Sequence, residues 1–107
     1  MLYEKFTAAF ETRDVDQALE LYHPDYTFIR HAANVTISLA EWTPIMRAMM
    51  ESDDWVLHDN RCLYENDEVL VMHNVLSFPD GTKEAVLAFH RIKDGRIYST
   101  ETGATPL

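Results

Sequence analysis

The chain has 107 residues, of which 47% are hydrophobic and 11% aromatic, enough apolar material for one globular domain over residues 1–107 and too much for a disordered chain. Eighteen acidic residues against nine basic ones leave a net charge of −9, and no basic patch is visible, which argues against a nucleic-acid partner. No apolar run reaches membrane-spanning length and Met1–Lys5 lacks the pattern of a secretory leader, so a cytoplasmic protein without a membrane partner is expected.

Leu2, Phe6, Ala9 and Phe10 recur at helical spacing and predict a first helix to about Thr12. Asp14 followed three residues later by Gln17 reads as the start of a second, with Val15, Ala18, Leu19 and Tyr22 on one face and Pro24 as its stop. Tyr26–His31 is rich in β-branched and aromatic residues and predicts a strand; Ala32–Ile37 reads as a loop or short strand. Ser38 and Glu41 have the spacing of a capping box. They open a third helix that lines Trp42, Ile45, Met46, Met49 and Met50 along one face. Pro44 is expected in its first turn, where a missing N–H is tolerated, and Asp53-Asp54 ends it.

Trp55–Glu65 predicts the next strand, and Cys62 within it reads as a small buried thiol. Asn66-Asp67, Asp80-Gly81 and Asp94-Gly95 then punctuate three further strand-like runs, Val69–Phe78, Lys83–Ile92 and Ile97–Gly103. Asp-Gly between such runs signals a two-residue hairpin turn, which fixes register. Taken so, His73 faces Ala88, Ala88 faces Glu101, His90 faces Ser99, His58 faces Val75 and Asn60 faces His73. Opposed residues share a face. One face then carries the row Asn60–His73–Ala88–Glu101, and the other carries Leu70, Met72, Leu76, Leu87, Phe89 and Tyr98. Three helices with one strand among them, followed by an antiparallel meander, make an α+β fold with helices packed on one sheet face.

The opening FTAAFETRDVDQALELYHPDYTFI, Phe6–Ile29, resembles the start of the nuclear transport factor 2-like superfamily. The tail FHRIKDGRIYSTE, Phe89–Glu101, resembles its last hairpin in the SnoaL-like polyketide cyclase and ketosteroid isomerase branch. The resemblance spans nearly the whole chain. It implies a cone: three N-terminal helices closing over a curved, mainly antiparallel sheet around a small-molecule pocket. The family's isomerases use a helix-borne tyrosine, a strand-end aspartate and a second strand acid, and at those positions this chain has Phe6, Arg30 and Ala88. That chemistry is therefore not implied. What carries over is orientation, since the Ala88 face becomes the pocket face. His58, Asn60, His73, His90 and Glu101 would then line it with Tyr26, Phe28 and Arg30, and the helices would add Phe6, Phe10 and Trp42.

On that face His73 and Glu101 sit about 10 Å apart by strand spacing, across the small Ala88. An imidazole oriented by a carboxylate can abstract a proton beside a carbonyl, and Asn60 can donate to the developing oxyanion. A His–Glu hydrogen bond that merely satisfies two buried groups fits the same residues. His58, His73, His90 and Glu101 on one face suggest a metal only on paper, since no ligand-spacing motif accompanies them; no metal and no cofactor is expected. His23 and His31 read as surface or capping residues. The expected function is binding of a small, largely apolar molecule, with isomerase, cyclase or dehydratase chemistry at His73 and Glu101. The alternative is a non-catalytic binding or association module. An apolar outer sheet face left uncovered implies a homodimer through it.

Overall fold

Helices α1 (Leu2–Thr12) and α2 (Val15–Leu19) come first in the computed structural model, which describes residues 1–107. Strands β1 (Tyr22–Arg30) and β2 (Val35–Ser38) follow, joined by a 3₁₀ turn, His31–Ala33. Helix α3 (Leu39–Glu51) leads into the meander β3 (Val56–Glu65), β4 (Val69–Ser77), β5 (Lys83–Lys93) and β6 (Arg96–Pro106). The six strands form one mixed sheet in the order β2-β1-β6-β5-β4-β3, with β1 parallel to β6 and every other pair antiparallel. The fold is α+β. Its three α-helices are two long and one short, and the third follows β1 and β2. No helix is long and apolar enough to cross a membrane.

Local chemistry explains the helix ends. Arg13 adopts φ 56° and closes α1 through N–H bonds to Ala9 and Phe10 carbonyls. Asp14 accepts a hydrogen bond from the Gln17 amide at 3.0 Å, satisfying a first-turn donor of α2. Both halves of the Ser38–Glu41 box form, the Glu41 amide donating to Ser38 Oγ at 3.2 Å and the Ser38 amide to Glu41 Oε1 at 3.1 Å. Because the box starts α3 at Leu39, Pro44 falls in the second turn and not the first. Its missing N–H deprives the Ala40 carbonyl of the usual donor.

Tyr22 does not belong to α2. The helix ends at Leu19, and Tyr22 opens β1, opposite Ile97 of β6. Pairing with β6 is irregular between Tyr22 and Thr27, and β2 pairs only with Thr27–Arg30. Pro24 therefore sits where no ladder needs its missing donor, which lets the strand run through it.

The registers of the two Asp-Gly hairpins each differ from the expectation by one residue. The Phe78 amide donates to the Thr82 carbonyl at 2.9 Å and the Gly81 amide to the Phe78 carbonyl at 3.0 Å. The loop is thus Pro79-Asp80-Gly81, three residues long. Proline is confined to φ near −65° and suits the second position of a type I turn, after which a left-handed residue is needed; Gly81, at φ 87°, supplies it. A two-residue loop would instead have put Pro79 in the ladder. The second turn does have two residues, Asp94 at φ 54° and Gly95 at φ 74°, with Lys93 facing Arg96. A bulge follows it, so that Ile92 faces Ile97 but Arg91 faces Ser99.

Consequently His73 faces Leu87, Leu87 faces Gly103, and Glu101 faces Phe89. The row facing Ala88 is Met72 and Thr102. Strand β3 keeps the expected His58–Val75 pair and then shifts, Asp59 taking φ 50°, so that Arg61 and not Asn60 faces His73. Leu70 and Met72 are fully buried on the inner face, where they join Met46 and Met50 of α3 and Ile97 in the core. Leu70, Met72 and Leu76 thus leave the expected outer face, which carries Val71, His73 and Val75 in their place and keeps the expected Leu87 and Phe89. Cys62 is exposed and not buried.

Candidate functional site

Between the helices and the inner sheet face lies a cavity of about 340 Å³, within the range of small-molecule sites. Phe6 and Phe10 of α1 stack along one side at 4.6 Å between ring centres. Phe28 of β1 meets Trp42 of α3 edge-on at 4.8 Å, and Tyr22 meets Tyr26 edge-on at 4.7 Å. Met72, Asn74, Ala88, His90, Thr100 and Thr102 form the floor. A second lobe of about 330 Å³ adjoins it, with Arg30 and Glu84 in its wall.

Of the residues expected to reach the pocket, Phe6, Phe10, Tyr26, Phe28, Trp42 and His90 line the first lobe and Arg30 lines the second. Four do not. His73 lies on the outer face, opposite Leu87. Glu101 bonds to His31 Nε2 at 2.6 Å on an exposed surface. His58 Nε2 is 2.9 Å from Ser77 Oγ, on the side of the sheet it shares with Val75. Asn60 turns to α1, its side-chain amide N–H donating to Thr7 Oγ1 at 3.3 Å while its backbone carbonyl accepts from the Tyr3 hydroxyl. No three His, Cys, Asp or Glu side chains gather into a metal-binding group, and His90 and His73 lie on opposite faces of the sheet.

His90 is the polar centre of the cavity. It is 4% exposed, and its Nδ1 lies 2.7 Å from Thr100 Oγ1, the residue directly opposite on β6. Nε2 has no hydrogen-bond partner in the protein and the residue lines the cavity. The Phe6 ring stands 5.9 Å away. Burial disfavours the charged ring and lowers its pKa to about 4, so the imidazole is neutral at neutral pH. With the proton on Nδ1 and given to Thr100, Nε2 presents a free lone pair to the cavity.

Two phenols complete the wall. Burial raises the Tyr22 pKa to about 12, partly offset by its neighbour Trp42. The Trp42 indole N–H is itself buried and does not reach hydrogen-bond geometry with any group. Burial raises Tyr26 further still, helped by Tyr22 and opposed by Thr100 beside it. Both hydroxyls therefore keep their protons and can donate. Tyr22, Asn74, Thr100 and Thr102 escaped the sequence reading of the site. Alternation along β1 from Tyr26 back through Pro24 was the signal that could have found Tyr22.

The SnoaL-like domain model matches residues 3–100. The structure resembles that of a provisionally assigned ketosteroid isomerase from Kribbella flavida at a TM-score of 0.78 and 17% identity, covering 97% of this chain and 75% of that one. It resembles IdmH, a provisionally assigned polyketide cyclase from Streptomyces antibioticus, at 0.71 and 16%, covering 95% and 88%. A steroid delta-isomerase from Pseudomonas aeruginosa matches at 0.73 and 20%, covering 98% and 77%. At these identities the likeness is one of fold. No curated protein is similar enough to match. With nearly its whole length matched by the domain model, the chain belongs to the SnoaL-like domain family.

Proposed function

We propose that the cavity works as an open cone receiving a small, largely apolar molecule with a carbonyl group, and that His90 moves a proton at the carbon beside it. Nε2 takes the proton, the Tyr26 hydroxyl donates to the oxygen as it becomes an enolate, and the proton returns elsewhere or the enolate reacts onward. Isomerisation, ring closure and loss of water share that first step. The carrying observation is a 4% exposed imidazole held on one nitrogen by Thr100 and unpaired on the other. His90 takes the part that the residue pattern had given to His73 and Glu101. The test is deuterium exchange at the α-carbon of 2-acetylnaphthalene, with a His90→Gln variant as control.

A second reading, binding without turnover, is favoured by the His90 pKa of about 4, which makes the ring a weak base until a ligand's charge compensates it. The same exchange experiment separates the two readings.

The homodimer is proposed on the outer face, where Leu87 is 48% exposed beside Val71, Val75 and Phe89. Sedimentation at micromolar concentration should give twice the chain's mass, and Leu87→Lys should shift it to the single mass. A monomer at all concentrations would remove the proposal.

A further inference from the structure

We propose that Arg30 and Glu84 are specificity-determining residues, a second polar contact point that selects ligands carrying a neutral acceptor and donor side by side. The inference rests on reading the cavity as a small-molecule site and adds which end group it takes.

The two lobes share Phe28, Trp42, Met49, Trp55, Leu76 and Val86 in their walls, so one elongated molecule can occupy both. In the second lobe the only charged residues are Arg30 and Glu84. Arg30 faces Thr102 and Glu84 faces Pro106, so the pair reaches across β6 from its two neighbours. Arg30 Nη2 and Glu84 Oε2 stand 3.6 Å apart, near enough to attract and too far for a hydrogen bond. Neither side chain makes a hydrogen bond with any other group of the protein, and the side chains are only 39% and 21% exposed. Polar groups so placed in an apolar lobe are costly to leave unpaired once a ligand excludes water.

A carbonyl oxygen can accept from the guanidinium while a neighbouring N–H or O–H donates to the carboxylate. A primary amide, a hydroxyketone or an enolised 1,3-dicarbonyl meets both demands. A carboxylate meets the first and is repelled by Glu84, in a chain of net charge −9. A hydrocarbon end meets neither. The expected ligand is therefore two-ended: a carbonyl toward His90, an aromatic body, and a neutral donor–acceptor head at Arg30 and Glu84.

The test uses three probes on one skeleton, 2-acetylnaphthalene bare or carrying a carboxamide or a carboxylate at carbon 6, measured by calorimetry against the full chain. The amide should bind about tenfold or more tighter than the bare ketone, and the carboxylate more weakly than the amide. Arg30→Met should cut the amide's advantage to less than about threefold, and Glu84→Gln should strengthen the carboxylate. Melting temperatures near the parent's show that the variants fold, and retained binding of the bare ketone shows that the cavity is intact. If all three probes bind the parent alike, or Arg30→Met leaves the amide's advantage untouched, the inference falls while the small-molecule reading stands. If none binds, both fall.

Discussion

A His90→Gln variant should lose the acceleration of α-deuteration of 2-acetylnaphthalene by about 10²- to 10⁴-fold, the usual contribution of a positioned acid–base group. The ketone should still raise the variant's melting temperature, because bound ligand stabilises by mass action. Glutamine has an amide that can keep the contact with Thr100, but it cannot take a proton. The loss thus reports proton transfer and not the shape of the wall. Exchange within about threefold of the parent would leave binding without turnover as the reading. Tyr26 makes the complementary contribution. Burial keeps its phenol protonated, so it can donate to an enolate oxygen without first giving up its own proton.

Acid should destabilise the parent through the same histidine, with a sign set by burial. The folded pKa is about 4, below the ordinary value of 6.5. Above pH 6.5 both folded and unfolded chains carry a neutral ring, and pH has no effect through it. Between 6.5 and 4 the unfolded chain binds the proton and the folded one does not. Unfolding therefore becomes easier as pH falls, and stability is regained as pH rises. The full loss by pH 4 is roughly 3 kcal/mol for a ring so deeply buried. The His90→Gln variant lacks this dependence, so the difference between the two denaturation curves across pH isolates it from the carboxylates that titrate near the lower end. Parallel curves for parent and variant would show that the ring is wetter or differently paired than described.

The elements were largely legible from residue chemistry. Capping at Asp14 and Ser38 and the two Asp-Gly turns mark boundaries through local hydrogen bonding and φ preferences, which a chain displays in its own sequence. Register was not, and the failure has a physical pattern. Lys83–Lys93, the middle strand of the meander, faces as expected, with Ala88 and His90 inward. Each of its partners slipped by one residue, β4 because Pro79 favours a three-residue loop and β6 because of a bulge beyond a correctly read turn. A bulge of that kind has no residue signature here, as neither Ile97 nor Tyr98 demands it. With side chains alternating at every residue, one-residue slips turned His73 and Glu101 outward together. They also brought Thr100 opposite His90, where Ser99 had been expected, so a hydroxyl partner remained. Tyr22 was missed for a different reason. Its spacing from Ala18 and Leu19 suits a helix as well as its alternation with Pro24 and Tyr26 suits a strand, and pairing with Ile97 of β6 decides for the strand.

The most direct test of the account is a nitrogen NMR titration of the His90 imidazole with 2-acetylnaphthalene at neutral pH. The ring should be neutral before addition and show a saturable change at Nε2 with ligand, with Nδ1 and its Thr100 contact little altered. A ring already charged at neutral pH, or ketone binding that leaves Nε2 untouched, would contradict it.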